Sequence, residues 1–171
     1  MIRIIAGGSH TGKTLLAQKL LERYHCPYLS IDHLKMGLIR SGQTPLTPED
    51  DEELTAYLWP IVREIIKTAI ENGQSLTVEG CYIPYTYRQD FPPEYRAHLR
   101  YICLIFSPHY IGEHYEEIIR YQNAIETRGD GDYPREALLE ENRFALEQCQ
   151  KHDCPYVLID ESYKFALPPD F

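Results

Sequence analysis

Eight consecutive residues, Gly7-Gly8-Ser9-His10-Thr11-Gly12-Lys13-Thr14, carry the most specific chemistry in this chain. They match G-x-x-x-x-G-K-[ST] at every specified position. Gly7 and Gly12 let the backbone turn tightly enough for successive N–H groups to point inward at phosphate oxygens. A helix starting at the lysine adds its positive N-terminal end to the same anion. Lys13 then reaches the β- and γ-phosphates of a nucleotide, and the Thr14 hydroxyl is a ligand for Mg²⁺. Gly8, Ser9, His10 and Thr11 act through main-chain groups, so the His10 side chain is expected to be exposed. Background residue usage produces the pattern in about half a percent of chains this long, so an ordinary glycine turn explains it poorly.

Phosphoryl transfer also needs groups on the acceptor side of the γ-phosphate. Two carboxylates end short apolar runs: Asp32 follows Tyr28-Leu29-Ser30-Ile31, and Glu79 follows Leu76-Thr77-Val78. In an open α/β sheet the carboxyl ends of the strands border the ligand crevice, where the phosphate loop also lies. Asp32 is therefore assigned to orient an acceptor hydroxyl and take its proton, and Glu79 to contact substrate or metal-bound water. The bland alternatives are a helix N-cap at Asp32 and a turn residue at Glu79. Tyr82, Tyr85, Tyr87 and Arg88 form either an aromatic, cationic substrate wall or a partly buried loop.

Arg120, Arg128, Arg135 and Arg143 surround the polar stretch Arg128-Gly129-Asp130-Gly131-Asp132, which is expected to be a mobile loop. Arginines of this group are expected to close over the transferring group as a lid; surface pairing with nearby glutamates is the competing role. Asp160 is expected near an adenine or without a role. Cys149, His152 and Cys154 are one ligand short of a structural zinc site and read as helix-end residues.

The elements that must position these groups follow from periodicity. Ile2–Ala6, Tyr28–Ile31, Leu76–Val78, Tyr101–Phe106 and Tyr156–Ile159 each fit a strand buried on both faces. Lys13–Tyr24 has helical spacing. A second helical stretch is expected after Thr47 as N-cap, with Pro48 at its first position, a kink or break at Pro60 and an end near Asn72-Gly73. Apolar faces at Ile111–Ile125 and Leu138–Cys149 predict two more helices. Strands alternating with helices predict a doubly wound parallel α/β domain spanning residues 1–171.

Composition narrows the partner. Seventeen basic against 26 acidic residues give a net charge of −9, with a pI near 5.2. A broad nucleic-acid or anionic-membrane surface is thereby disfavoured, and a nucleotide donor with a small-molecule acceptor is expected. No run reaches the ~18 apolar residues of a membrane span. The start lacks the features of a secretory signal, and the five cysteines include no C-x-x-C pair. Those features predict a cytoplasmic protein with reduced thiols.

Gly7–Thr14, Ile31-Asp32-His33-Leu34-Lys35, Val78-Glu79-Gly80-Cys81 and Ile119-Arg120-Tyr121 with Arg128 together resemble the zeta-toxin and 2-phosphoglycerate-kinase-like branch of P-loop small-molecule kinases. The resemblance implies a nucleoside-monophosphate-kinase fold, a P-loop NTPase sheet in order 2-3-1-4-5 with a short helical lid around residues 120–135. It implies ATP and Mg²⁺ as cofactors, Asp32 as base, Glu79 as substrate contact, and Arg120 and Arg128 as lid arginines. The chain lacks the toxins' long C-terminal extension and carries Cys81-Tyr82-Ile83-Pro84 where they have a threonine and a basic residue. A hydroxyl or phosphate acceptor, a nucleoside-monophosphate kinase, and a regulatory nucleotide-binding module all remain compatible with these residues. The guanine-reading N-K-x-D is absent from the sequence.

Overall fold

β1 (Ile2–Gly7) lies at the centre of a five-stranded sheet in the order β2-β3-β1-β4-β5. Its partners are β3 (Leu76–Glu79) and β4 (Leu99–Phe106); β2 (Tyr28–Ser30) and β5 (Tyr156–Ile159) form the edges, and every pairing is parallel. The computed structural model describes residues 1–121, 133–168 and 171. Among these, no helix is long and apolar enough to cross a membrane.

The strand alternation builds two apolar layers. Ile2, Ile4 and Ala6 of β1, with Tyr101, Cys103 and Ile105 of β4, face one side, covered by α2 (Ile31–Arg40), α3 (Asp51–Glu71) and α6 (Arg135–Lys151). Ile5, Ile102 and Leu104 face the other, against Leu16, Ala17 and Leu20 of α1 (Lys13–Tyr24) and the C-terminal Phe165, Leu167 and Phe171. On that second side α5 (Pro108–Arg120) packs Ile111 and Ile118 near Phe106 and Ile159. Each fully buried Ile or Leu contributes about 1.5–3 kcal/mol, so the layers fix the sheet's register and with it the loops at its carboxyl edge. A 3₁₀ turn (Tyr87–Asp90) and the single-turn α4 (Pro93–Arg96) return the chain from that edge to the start of β4.

Three sequence expectations change. The edge strand β5 exposes Tyr156 and Leu158 instead of being buried on both faces, because no element among the described residues covers that face. α3 starts at Asp51, not after Thr47: the Asp50 carboxylate takes both the Thr47 amide, at 2.7 Å, and its hydroxyl, at 2.9 Å, closing a turn where the first helical turn was expected. Pro60 neither breaks nor ends α3. Its ring lies on the exposed side, while Leu54, Leu58, Trp59, Val62 and Ile66 bury the opposite face. One lost hydrogen bond is outweighed by that packing.

Gly7 shows how tightly the sheet holds the loop. At its φ of +141°, a Cβ would lie 2.4 Å from the Leu104 carbonyl oxygen of the neighbouring strand. Gly7→Ala is expected to destabilise the fold by about 3 kcal/mol, combining backbone strain with a clash that rigid backbone cannot relieve. Chemical denaturation of the two proteins checks it.

Candidate functional site

The loop from Gly8 to Gly12 links β1 to α1 and is shaped by its own carbonyls. Thr11 Oγ1 donates to the Gly8 carbonyl at 2.9 Å, and Lys13 Nζ folds back onto the same oxygen at 2.7 Å. The Tyr163 hydroxyl donates to the Thr11 carbonyl at 2.9 Å. Gly12 caps α1 with a left-handed φ of +82°, and a Cβ there would meet the Tyr163 hydroxyl at 1.9 Å. Lys13 and Thr14 are buried, at 3% and 8% exposure. The Gly8 and Thr11 carbonyls are thus engaged, and the loop leads into the N-terminus of α1, a position that favours an anion. His10 is half-buried, against the expectation of an exposed side chain. Its ring lies 4.8 Å from that of Tyr133, centroid to centroid, which holds a histidine at a φ of +65°.

β2 and β3 bring the two carboxylates to this edge. Glu79 ends β3 in register with Ile5 of β1 and Ser30 of β2, and is 1% exposed. A carboxylate at that depth needs positive charge or donors around it, and its strand runs beside the one that carries the phosphate loop. Ser30 caps α2 and places Asp32 in the first helical turn. Lys35, one turn on, approaches Asp32 Oδ1 at 3.0 Å and donates to the Tyr82 hydroxyl at 2.8 Å. Tyr82 in turn donates to Asp51 Oδ1 at 3.0 Å, tying the start of α3 to the exit of β3. Burial pushes the Tyr82 phenol up, with Asp51 and Asp32 adding to the effect.

Cys81 reports how these parts meet. The residue is solvent-accessible, yet crowding protein atoms push its thiol pKa up; Lys13, within hydrogen-bond reach, pulls it down, and Asp32 and Glu141 push it further up. Lys13, Asp32 and Glu141 are thus the charged neighbours of the Cys81 thiol.

Glu141 was not legible from spacing. It lies on α6, 132 residues from Ser9, whose main-chain N–H donates to Glu141 Oε2 at 2.9 Å. Tyr133 donates its hydroxyl to the other carboxylate oxygen. An anionic group thus already sits on an amide of the phosphate loop, the chemistry that loop geometry favours. α6 is fixed there by Asn142, which accepts the Phe106 amide at 2.7 Å and donates to the Leu138 carbonyl at 2.8 Å. The sequence shows Asn142 only as a polar intruder on an apolar face.

One candidate lies at the other edge of the sheet. Arg88 is exposed on the 3₁₀ turn, 3.3 Å from the Tyr87 hydroxyl. With Arg96 and Arg100 it lines a cavity of about 490 Å³ by the starts of β4 and β5, at the opposite edge of the sheet. Tyr87 stacks on Tyr101 with ring centroids 4.5 Å apart, and Tyr85 meets Phe144 edge-on. Asp160 accepts from Ser107 Oγ, which also caps α5 through the Tyr110 amide. Arg120 sits exposed in the last turn of α5, while Arg128 and most of the proposed lid lie outside the described residues. Arg135 reaches the Gly112 carbonyl, and Arg143 pairs with Glu140 on the surface. Cys149 and Cys154 are buried, the latter donating to the Tyr85 carbonyl. No cluster of metal-ligand type forms among the described residues.

No family model and no curated protein matches the sequence. Solved structures do share the fold. A sugar kinase from Janibacter sp. HTCC2649 superposes with a TM-score of 0.52 at 19% identity, covering 93% of this chain and 84% of its own. A shikimate kinase from Bacteroides thetaiotaomicron gives 0.52 at 12% identity over 95% and 89%. A gluconokinase from Sinorhizobium meliloti 1021 gives 0.50 at 16% identity over 95% and 83%. At these identities the likeness is one of fold: the five-stranded parallel sheet with helices on both sides that small-molecule P-loop kinases use.

Glu141→Gln keeps the shape of the contact on Ser9 and removes its charge. Pyrophosphate should then bind the loop about threefold or more tightly than in the parent protein, since less negative charge opposes it. Isothermal titration with pyrophosphate checks this, and unchanged or weaker binding would contradict it.

Proposed function

We propose that this protein is an ATP- and Mg²⁺-dependent kinase that moves the γ-phosphoryl group to a hydroxyl of a small molecule. The observation that supports the reading is a glycine-shaped loop leading into α1, with Lys13 and Thr14 buried at that helix's start and Asp32 just beyond the carboxyl end of the parallel strand β2. The fold shared with sugar, gluconate and shikimate kinases supports it.

The residues present fit a magnesium nucleotide. Thr14 offers a hydroxyl at the start of α1 and Glu79 a deep carboxylate on the adjacent strand, a hard-oxygen set suited to Mg²⁺ directly or through water. When bound, the metal would neutralise charge on the β- and γ-phosphates. Loop amides and Lys13 would grip those phosphates. Asp32, its carboxylate oriented by Lys35, would accept the proton of the acceptor hydroxyl as that oxygen bonds to the γ-phosphorus. The bond from the γ-phosphorus to the β–γ bridging oxygen breaks, and ADP leaves with that oxygen. Arg120 and Arg128 are the side chains we assign to the charge that spreads over the transferring group. Glu141 would have to release Ser9 if the phosphates use that amide.

ADP formation in the presence of an acceptor tests the reading. Lys13→Ala should lower kcat/KM by about a hundredfold or more, and Asp32→Asn by a similar factor. A phosphate acceptor needs no base, so an intact rate in Asp32→Asn would point to a nucleoside-monophosphate kinase. Tight nucleotide binding with no acceptor-stimulated turnover would point to a regulatory module.

A further inference from the structure

We infer that Tyr163 is a positioning residue for phosphate binding: by holding the Thr11 carbonyl, its hydroxyl aims the Gly12 amide at the phosphates of the nucleotide. The inference rests on the kinase reading above and adds to it a residue from outside the motif.

The peptide bonds of the described chain are trans. A planar trans unit points its carbonyl and the next residue's N–H to opposite sides. The Tyr163 hydroxyl donates to the Thr11 carbonyl at 2.9 Å, so the Gly12 N–H points away from Tyr163. No hydrogen bond uses that N–H among the described residues. It belongs to the cap of α1, the end of a helix where amides without a partner attract anions. The Gly8–Ser9 peptide of the same loop follows the same rule. Its carbonyl takes Thr11 Oγ1 and Lys13 Nζ, and the Ser9 N–H on its far side meets the Glu141 carboxylate at 2.9 Å.

Both partners of the contact are held in place. The Tyr163 ring lies edge-on to Phe106 and Phe165, with centroids 6.2 and 5.5 Å away. Asp160, three residues earlier, accepts from Ser107 Oγ and anchors the segment beside α5. Burial pushes the phenol pKa up, so the hydroxyl stays a protonated donor. Gly12 lets the hydroxyl approach, since a Cβ there would lie 1.9 Å from it. Thr11 is fully buried, so loss of the hydroxyl leaves its carbonyl without a donor. A peptide that rotated to find another partner would swing its oxygen toward the anion and its N–H away.

Tyr163→Phe keeps the ring and removes only the hydroxyl. Isothermal titration with pyrophosphate should show binding weakened about fivefold or more, the effect of losing one well-aimed donor. In ¹⁵N spectra the Gly12 amide should move on adding pyrophosphate to the parent protein and move less in the variant. A ring that served packing alone predicts the reverse, a lower melting temperature with unchanged affinity. Equal pyrophosphate affinity in a folded Tyr163→Phe overturns the inference and leaves the kinase reading standing. Should that variant fail to fold, the parent protein decides: a Gly12 amide that stays still while its neighbours shift overturns the inference, and one that moves with them supports it. If the parent binds neither pyrophosphate nor a magnesium complex of an ATP analogue, the kinase reading falls and takes the inference with it.

Discussion

Everything at the carboxyl edge of this sheet depends on how the β1–α1 loop disposes of its carbonyls. A loop can turn a row of amides toward an anion only if its oxygens are satisfied on the other side. Here the Gly8 oxygen takes two donors from within the motif, Thr11 and Lys13, and the Thr11 oxygen takes the Tyr163 hydroxyl from the C-terminal segment. The positive φ angles at Gly7, His10 and Gly12 are the cost of that arrangement. Buried packing on both faces of β1 supplies the rigidity that offsets it. Strain held at a binding loop by a well-packed strand is a common division of labour between site and scaffold.

The surrounding charges are placed to match. Of eleven arginines in the sequence, three lie around one cavity remote from the loop. The carboxyl ends of β2 and β3 carry instead Asp32 and Glu79, with Lys35 and Tyr82 linked to Asp32 and Asp51. A protein with a net charge of −9 can bind a polyphosphate only where backbone dipoles and a buried lysine overcome the general repulsion. The Glu141 carboxylate on Ser9 shows the same attraction operating within the chain.

Much of this was legible from residue order. The turn at Gly7–Thr14, the strands and the positions of Asp32 and Glu79 at strand ends follow from local pattern, because buried parallel strands and glycine-rich turns leave short, distinctive runs. The edge exposure of β5 was not legible, since a strand's neighbours are set by topology and not by its own residues. Nor was the start of α3, where a side chain of Asp50 outcompeted the expected Thr47 cap. The grouping of Tyr82 with Arg88 failed for a related reason: six residues separate them, yet the 3₁₀ turn carries the arginine toward the other edge of the sheet. Glu141 and Tyr163 reach the loop from 132 and 152 residues away, and no short-range signal encodes such a meeting.

The most direct test is a titration of ¹⁵N-labelled protein with a magnesium complex of a non-hydrolysable ATP analogue, followed amide by amide. The account predicts that the largest shifts fall on residues 8–14, with Lys13→Ala abolishing them while leaving the rest of the spectrum folded. Absence of shifts at millimolar ligand, or shifts centred away from that loop, would contradict it.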